Sequence, residues 1–319
     1  MKPLDDVVPT WEILWPEGAE SAEWSHSGIA ELPTGEIVFA EPGGAALVFL
    51  DRESGATRRV ATQTEDNHGI LYAELDGAGS LWLADPGTAG NPQTSQPAVD
   101  GQVLRMALPG GELSAVAQPA IAAYAERPWR PTAVAVVTLP GAHCGDDWIA
   151  DGYGESLVHR FASDGTVMTF DGTASGERFD CPHGIAIDTR GDVPVVVVAD
   201  RNNRRLVFLT LDGDHIRTLR DDLITSPSSI AVRGGDLIVT ELDGALLRVD
   251  EQDGVFAIIP RTGEHDREGW PNAIGDDGPV RPDVVFGQLN SPHGVAVGAD
   301  GSIYLTEWFF GGRQIRLTV

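Results

Sequence analysis

The chain of 319 residues carries 48 acidic against 22 basic side chains, a formal net charge of -26. A surface this acidic repels phosphate groups, so we exclude nucleic acid and anionic membrane as partners. Two cysteines, Cys144 and Cys181, are too few for a disulfide framework, and we expect both to be free thiols. No apolar run reaches the roughly 18 residues of a membrane span, and the N-terminus lacks a secretory pattern; both observations predict a cytoplasmic protein.

In chain order, one unit recurs six times. Each copy opens with a short β-branched segment, whose aligned first residues are Ser27, His68, Thr132, His183, Ser228 and His293. A second strand follows and ends on an acid in every copy: Glu41, Asp85, Asp151, Asp200, Glu241 and Glu307. A third strand follows each acid, and a fourth is predicted at 57–61, 167–170 and 215–219. Radially stacked units of about four strands predict an all-β fold, a six-bladed β-propeller.

The repeat also predicts the boundaries of the blades. They start near residues 26, 67, 131, 182, 227 and 292, within one domain spanning 1–319. The last copy stops after its third strand, so we expect residues 10–15 to supply its outer strand and close the ring. Longer intervals at 86–101, 109–130 and 259–290 are predicted to be loops around one mouth, on the top face where the first strands begin.

Histidine occupies the aligned column in copies two, four and six only. Alternate blades of a six-bladed ring are related by one-third turns, so His68, His183 and His293 are predicted to point at one spot on the axis. Three imidazoles with an open coordination position are typical of a zinc site. The alternative is that each histidine only caps a turn at the start of a strand.

Two further side chains are predicted at the same face. Tyr153 and Arg201 follow the acids of copies three and four. A tyrosine beside a divalent cation can act as a base, and an arginine can hold a carboxylate of a small-molecule substrate. The bland alternatives are a packed aromatic and an internal ion pair.

The remaining polar residues receive structural interpretations. The acidic column is predicted to accept hydrogen bonds from turn amides of the adjoining blade, with a second metal such as calcium as the alternative. The other histidines are interpreted as surface or loop residues, with His265 on a predicted top loop: His26, His143, His159, His215 and His265.

The motifs resemble a known enzyme family. Asp151-Gly152-Tyr153, Pro182-His183-Gly184 and Pro292-His293-Gly294, with related segments in the other copies, are similar to the NHL-repeat propeller of the peptidyl-α-hydroxyglycine α-amidating lyases (peptidylamidoglycolate lyases). The resemblance implies a zinc bound by the three column histidines, Tyr153 as the base and Arg201 as a substrate clamp. This chain departs from the family pattern where Pro42 replaces a second arginine, where Gly294 replaces an aspartate associated with calcium, and in lacking the family's disulfide.

These features predict a zinc-dependent lyase that cleaves a C–N or C–O bond of a hemiaminal-like or hydroxy-acid substrate. Two alternatives stay open. One is a calcium-dependent lactonase or related hydrolase of the propeller class, which would use the acidic column. The other is a non-catalytic NHL propeller that binds a protein partner.

Overall fold

The six-bladed propeller is confirmed. The computed structural model describes residues 9–16, 21, 23–88, 99–261, 274–276 and 278–319. Six antiparallel sheets of four strands form its blades. The first strands contact one another in ring order, and that of blade 6 contacts that of blade 1, so the ring is closed.

Each blade runs from the axis outward. Blade 1 contains Ile29–Glu31, Glu36–Ala40, Ala46–Asp51 and Thr57–Ala61. Blade 2 contains Gly69–Leu75, Ala78–Asp85, Gln102–Ala107 and Leu113–Val116. Blade 3 contains Ala133–Val136, Asp147–Asp151, Leu157–Phe161 and Val167–Phe170. Blade 4 contains Pro182–Asp188, Val195–Asp200, Arg205–Leu209 and His215–Leu219. Blade 5 contains Pro227–Arg233, Asp236–Glu241, Ala245–Val249 and Val255–Ile259.

The N-terminal strand completes blade 6, as predicted. This blade contains Pro292–Val297, Ile303–Glu307, Gln314–Thr318 and Thr10–Ile13. Thr10 pairs with Thr318 and Ile13 with Ile315, in antiparallel register. Outside the blades, the described residues form two ribbons and two 3-10 helices: Trp24–Ser25 with Phe309–Phe310, Ile274–Gly275 with Gly278–Pro279, Ala122–Ala125, and Thr173–Ser175.

The core lies between the blades rather than in one central mass. Six apolar clusters, one at each junction of neighbouring blades, hold the ring together. Because both faces of a middle strand meet a neighbour, the strand Val195–Asp200 is apolar up to its final acid and buried from Val196 onward. Burying a Leu, Val or Ile side chain contributes about 1.5–3 kcal/mol, so this arrangement holds each first strand firmly at the axis.

The outer strands of blades 2 and 5 were not predicted. Leu113–Val116 lies within 109–130, so the prediction that this whole interval is a top loop was wrong. The short, half-exposed strand shows little alternation of apolar residues, which leaves no clear pattern in the sequence. Parts of 86–101 and 259–290 lie outside the described residues. Neither helix of the described chain is long and apolar enough to cross a bilayer.

Candidate metal centre

The three column histidines lie at one end of the axis and are held in the same way. The Nδ1 atom of each imidazole donates a hydrogen bond to a main-chain carbonyl of the next blade: His68 to Thr132 at 2.7 Å, His183 to Ser228 at 2.8 Å, and His293 to Ser27 at 3.1 Å. A carbonyl can only accept, so each Nδ1 carries the proton and each Nε2 presents a lone pair. The accepting residues are the members of the aligned column that are not histidine.

The glycine after each histidine permits this close approach. A Cβ at Gly184 would lie 2.6 Å from the carbonyl oxygen of Ser228, and one at Gly294 would lie 2.7 Å from that of Ser27. Gly69 is in the same situation against Thr132, again at 2.7 Å. Gly294 is also the position where the amidating lyases have an aspartate, which would not fit here without a backbone shift.

The free ring nitrogens face one another. The Nε2 atoms of His68 and His293 are 3.1 Å apart, and the ring centroids of His68 and His183 are 4.7 Å apart. Burial lowers the pKa of each of the three histidines well below its usual range, so the rings are neutral. Two neutral Nε2 lone pairs at this distance cannot hydrogen-bond to each other. A cation between them would relieve the repulsion, so the donor set fits a metal that prefers imidazole.

Tyr153 and Arg201 lie at this cluster. The Tyr153 hydroxyl is 3.0 Å from His183 Nε2 and 3.2 Å from His68 Nε2. Burial raises the pKa of Tyr153 to about 12, and the nearby Arg201 opposes that rise. The Arg201 guanidinium is buried, donates to Ser228 Oγ at 2.9 Å, and makes no ion pair with a described carboxylate. Its Nε has no hydrogen-bond partner in the described part of the chain, which leaves a buried positive charge available to an anionic ligand.

His26 lies in a loop, as interpreted, but it is buried at the centre and is not a surface residue. It is 7% exposed, and its ring lies 4.4 Å from that of His68 and 4.5 Å from that of His293. His26, His68 and His293 each offer a ligand nitrogen, and these atoms lie within 4.8 Å of one another. His26 directly precedes Ser27, so examining the residues flanking the aligned column would have found it.

The remaining histidines lie elsewhere. His159 is fully buried on the third strand of blade 3, so its interpretation as a surface or loop residue was wrong. Its ring is hydrogen-bonded to the Tyr124 hydroxyl at 2.6 Å and to Thr169 Oγ1 at 3.0 Å. His143 is in a half-buried loop beside Asp146. His215 is half-buried on the outer strand of blade 4. His265 lies outside the described residues.

Cys181 shapes the start of blade 4. It is a buried free thiol, and Cys144 is free as well, as predicted. Its φ of 57° is left-handed, and its carbonyl accepts a hydrogen bond from the Arg201 amide at 3.1 Å. Burial raises the pKa of the Cys181 thiol. Cys181 therefore turns the chain into the strand that carries His183.

In five of the six blades, the residue of the acidic column accepts hydrogen bonds from the backbone. The carboxylates accept hydrogen bonds from amides of the segment that leads into the same blade: Asp66 to Asp85, Arg130 to Asp151, Asp180 to Asp200, Ser226 to Glu241 and Asn290 to Glu307. Glu41 differs, because it is half-exposed and pairs with Arg59 at 3.0 Å. The acids therefore accept backbone hydrogen bonds as predicted, but the prediction that the donors belong to turns of the adjoining blade was wrong.

Beneath the histidines a cavity of about 380 Å³ follows the axis. His68, His183 and His293 line one end, and Thr138 and Thr189 lie toward the other, where the first strands end. Between these ends apolar side chains such as Ile70 and Ile185 alternate with polar groups such as Ser229. The column histidines therefore lie between this axial channel and the side chains of Tyr153 and Arg201.

No protein-family model matches the chain, and neither does any curated protein. Solved structures of similar fold include a streptogramin B lyase, 15% identical over 97% of both chains with a TM-score of 0.60. A luciferin-regenerating enzyme is 11% identical over 98% of this chain and 95% of that one, with a TM-score of 0.58. A putative gluconolactonase is 15% identical over 97% and 91%, with a TM-score of 0.57. At these identities the likenesses show the six-bladed β-propeller fold.

Proposed function

We propose that the protein is a metal-dependent enzyme of the lyase type, with zinc as its metal. It would cleave a C–N or C–O bond in a small hemiaminal-like or hydroxy-acid substrate that bears a carboxylate. The observation that carries the proposal is the set of three buried imidazoles whose protonated Nδ1 atoms are held by carbonyls and whose ring centroids lie 4.4, 4.7 and 5.1 Å apart. Metal-ligating histidines are commonly oriented in this way by a partner on the other ring nitrogen.

The proposed metal ligands are His68, His183 and His293. When bound, zinc would act as a Lewis acid that polarises a hydroxyl or carbonyl oxygen of the substrate. Three imidazoles leave a coordination position open, as catalytic zinc sites require.

The chain's own residues would bind the substrate and move its proton. Arg201 would hold the substrate carboxylate, since its buried guanidinium has no ion pair among the described residues. That contact would place the scissile bond beside Tyr153. Its ionised oxygen would take the proton of the substrate hydroxyl as the carbonyl forms and the C–N or C–O bond breaks, and Tyr153 would return that proton to the departing nitrogen or oxygen. A pKa of about 12 is too high for a base at neutral pH, so Tyr153 needs the added positive charge of a bound cation.

The second candidate is a calcium-dependent lactonase, because the solved structures of similar fold include a putative gluconolactonase. Five of the six acids that it would use already accept backbone hydrogen bonds. The imidazole cluster is also a poor site for calcium, which prefers oxygen ligands. The lyase is therefore the better supported of the two.

Elemental analysis of the purified protein tests the proposal. We expect about one zinc per chain in the wild type and very little in His183→Ala, because the variant removes one of three ligands. His215→Ala removes a histidine from an outer strand and serves as the matched control, with zinc retained. The zinc-loaded protein would then be screened against carbinolamides and hydroxy acids. Absence of zinc from the wild type after incubation with the metal would sink the proposal.

A further inference from the structure

His26 reaches the metal centre by a route that the repeat does not provide. It directly follows the strand Trp24–Ser25, which pairs with Phe309–Phe310 in the loop between the second and third strands of blade 6. The ring of Trp308, in the same loop, lies 5.2 Å from that of His26. This ribbon holds the imidazole over the axis, against His68 and His293.

Asp66 fixes the orientation of His26. Its Oδ2 lies 2.8 Å from Nδ1 of His26, which leaves Nε2 directed toward the cluster, 3.5 Å from the Tyr153 hydroxyl. Asp66 is itself held in place, because its amide donates to Asp85 Oδ1 at 3.2 Å. The pair therefore has the arrangement of a carboxylate that orients a metal-ligating histidine.

The pair is buried together with the other imidazoles. Asp66 is 1% exposed, and among the described residues its one ion-pair partner is His26. The ligand nitrogens of His26, His68 and His293 lie within 4.8 Å of one another. A metal ion at this point could be bound through Nε2 of His26 together with the other two rings.

We infer that His26 is a fourth ligand of the metal at this centre and that Asp66 is its positioning residue. The inference rests on the proposed function for the presence of the metal, and goes beyond it in the composition of the site. The centre would hold a divalent transition metal through four imidazoles, three oriented by carbonyls and one by a carboxylate. The substrate oxygen would then enter as a fifth ligand, a coordination number that catalytic zinc can reach. His26 would break the threefold symmetry of the other ligands.

The test uses the intact chain loaded with zinc, in the wild type, His26→Ala, Asp66→Asn and the control His215→Ala. X-ray absorption is expected to count four imidazoles in the wild type and three in His26→Ala. Competition with a chelator is expected to show zinc affinity falling about a hundredfold in His26→Ala and about tenfold in Asp66→Asn. His215→Ala should match the wild type, and circular dichroism checks that each variant is folded.

The outcomes separate the two proposals. Three imidazoles in the wild type, with zinc affinity unchanged within twofold in His26→Ala, would overturn the inference and leave the proposed function standing. Failure of the wild type to bind zinc would overturn both. If His26→Ala does not fold, the wild-type ligand count and the affinity of Asp66→Asn still decide: three imidazoles and an unchanged affinity contradict the fourth ligand.

Discussion

Blades 2, 4 and 6 and blades 1, 3 and 5 contribute different groups to the same point on the axis. The even blades provide imidazole side chains, and the odd blades provide the main-chain carbonyls that hold them, as in the bond from His183 to Ser228. A side chain specifies the first contribution, whereas the second needs only a backbone in the right place. A substitution at the aligned column should therefore lower the zinc affinity greatly in an even-numbered blade and little in an odd-numbered one.

The largest expected effect tests this difference directly. His293→Ala removes an imidazole, and we expect zinc affinity to fall by more than about a hundredfold, since even the partners of ligands contribute about 10–100-fold. Thr132→Ala keeps the carbonyl that accepts from His68, so its zinc affinity should stay within about threefold of the wild type. Chelator competition measures both. An equal loss in the two variants would contradict the division between even and odd blades.

An effect of intermediate size, on stability, is expected at the residue that follows the aligned column, where even and odd blades also differ. Gly184→Ala in blade 4 would place a Cβ 2.6 Å from the Ser228 carbonyl oxygen, and overpacking of this kind typically costs about 1–3 kcal/mol. The equivalent residue of blade 5 already carries a side chain, so Ser229→Ala should change the free energy of unfolding by less than about 0.5 kcal/mol. Denaturant titration of both variants provides the measurement. An unchanged free energy of unfolding in Gly184→Ala would show that blade 4 can accommodate a Cβ at this position.

The smallest expected effect separates a buried histidine of an odd blade from the metal centre. Burial lowers the pKa of His159 from 6.5 to about 4, so the folded protein keeps this ring neutral while the unfolded chain binds a proton near pH 6.5. Stability is thus lost as the pH falls from 6.5 toward 4. Between pH 7 and pH 5 the wild type should lose about 2 kcal/mol more than His159→Gln.

The control for that prediction is metal content. His159→Gln should bind zinc as the wild type does, because its ring contacts Tyr124 and Thr169 rather than the axial cluster. Denaturant titration at the two pH values measures the difference in stability. Parallel losses in the wild type and the variant would show that His159 does not contribute to the pH dependence.

The candidate centre was predicted only in part, for a physical reason. His68, His183 and His293 occupy equivalent positions of a repeat, so the symmetry of the ring predicts that they converge, and in the structure they do. Their role as metal ligands stays a prediction. His26 lies outside the repeat, and its place depends on pairing between Trp24–Ser25 and a loop far along the chain. No periodicity in the sequence encodes such a contact.

The sequence by itself determined the six copies, the first three strands of each, the closure by the N-terminal strand and the alternation of histidine with serine or threonine. These features follow from local alternation of apolar residues, turn residues and repetition. Only the tertiary structure decided that the Ser27 carbonyl meets His293, a residue 266 positions away, and that Asp66 meets His26. Main-chain acceptors and buried polar pairs leave no pattern in the sequence, because any residue can supply a carbonyl once the ring has closed.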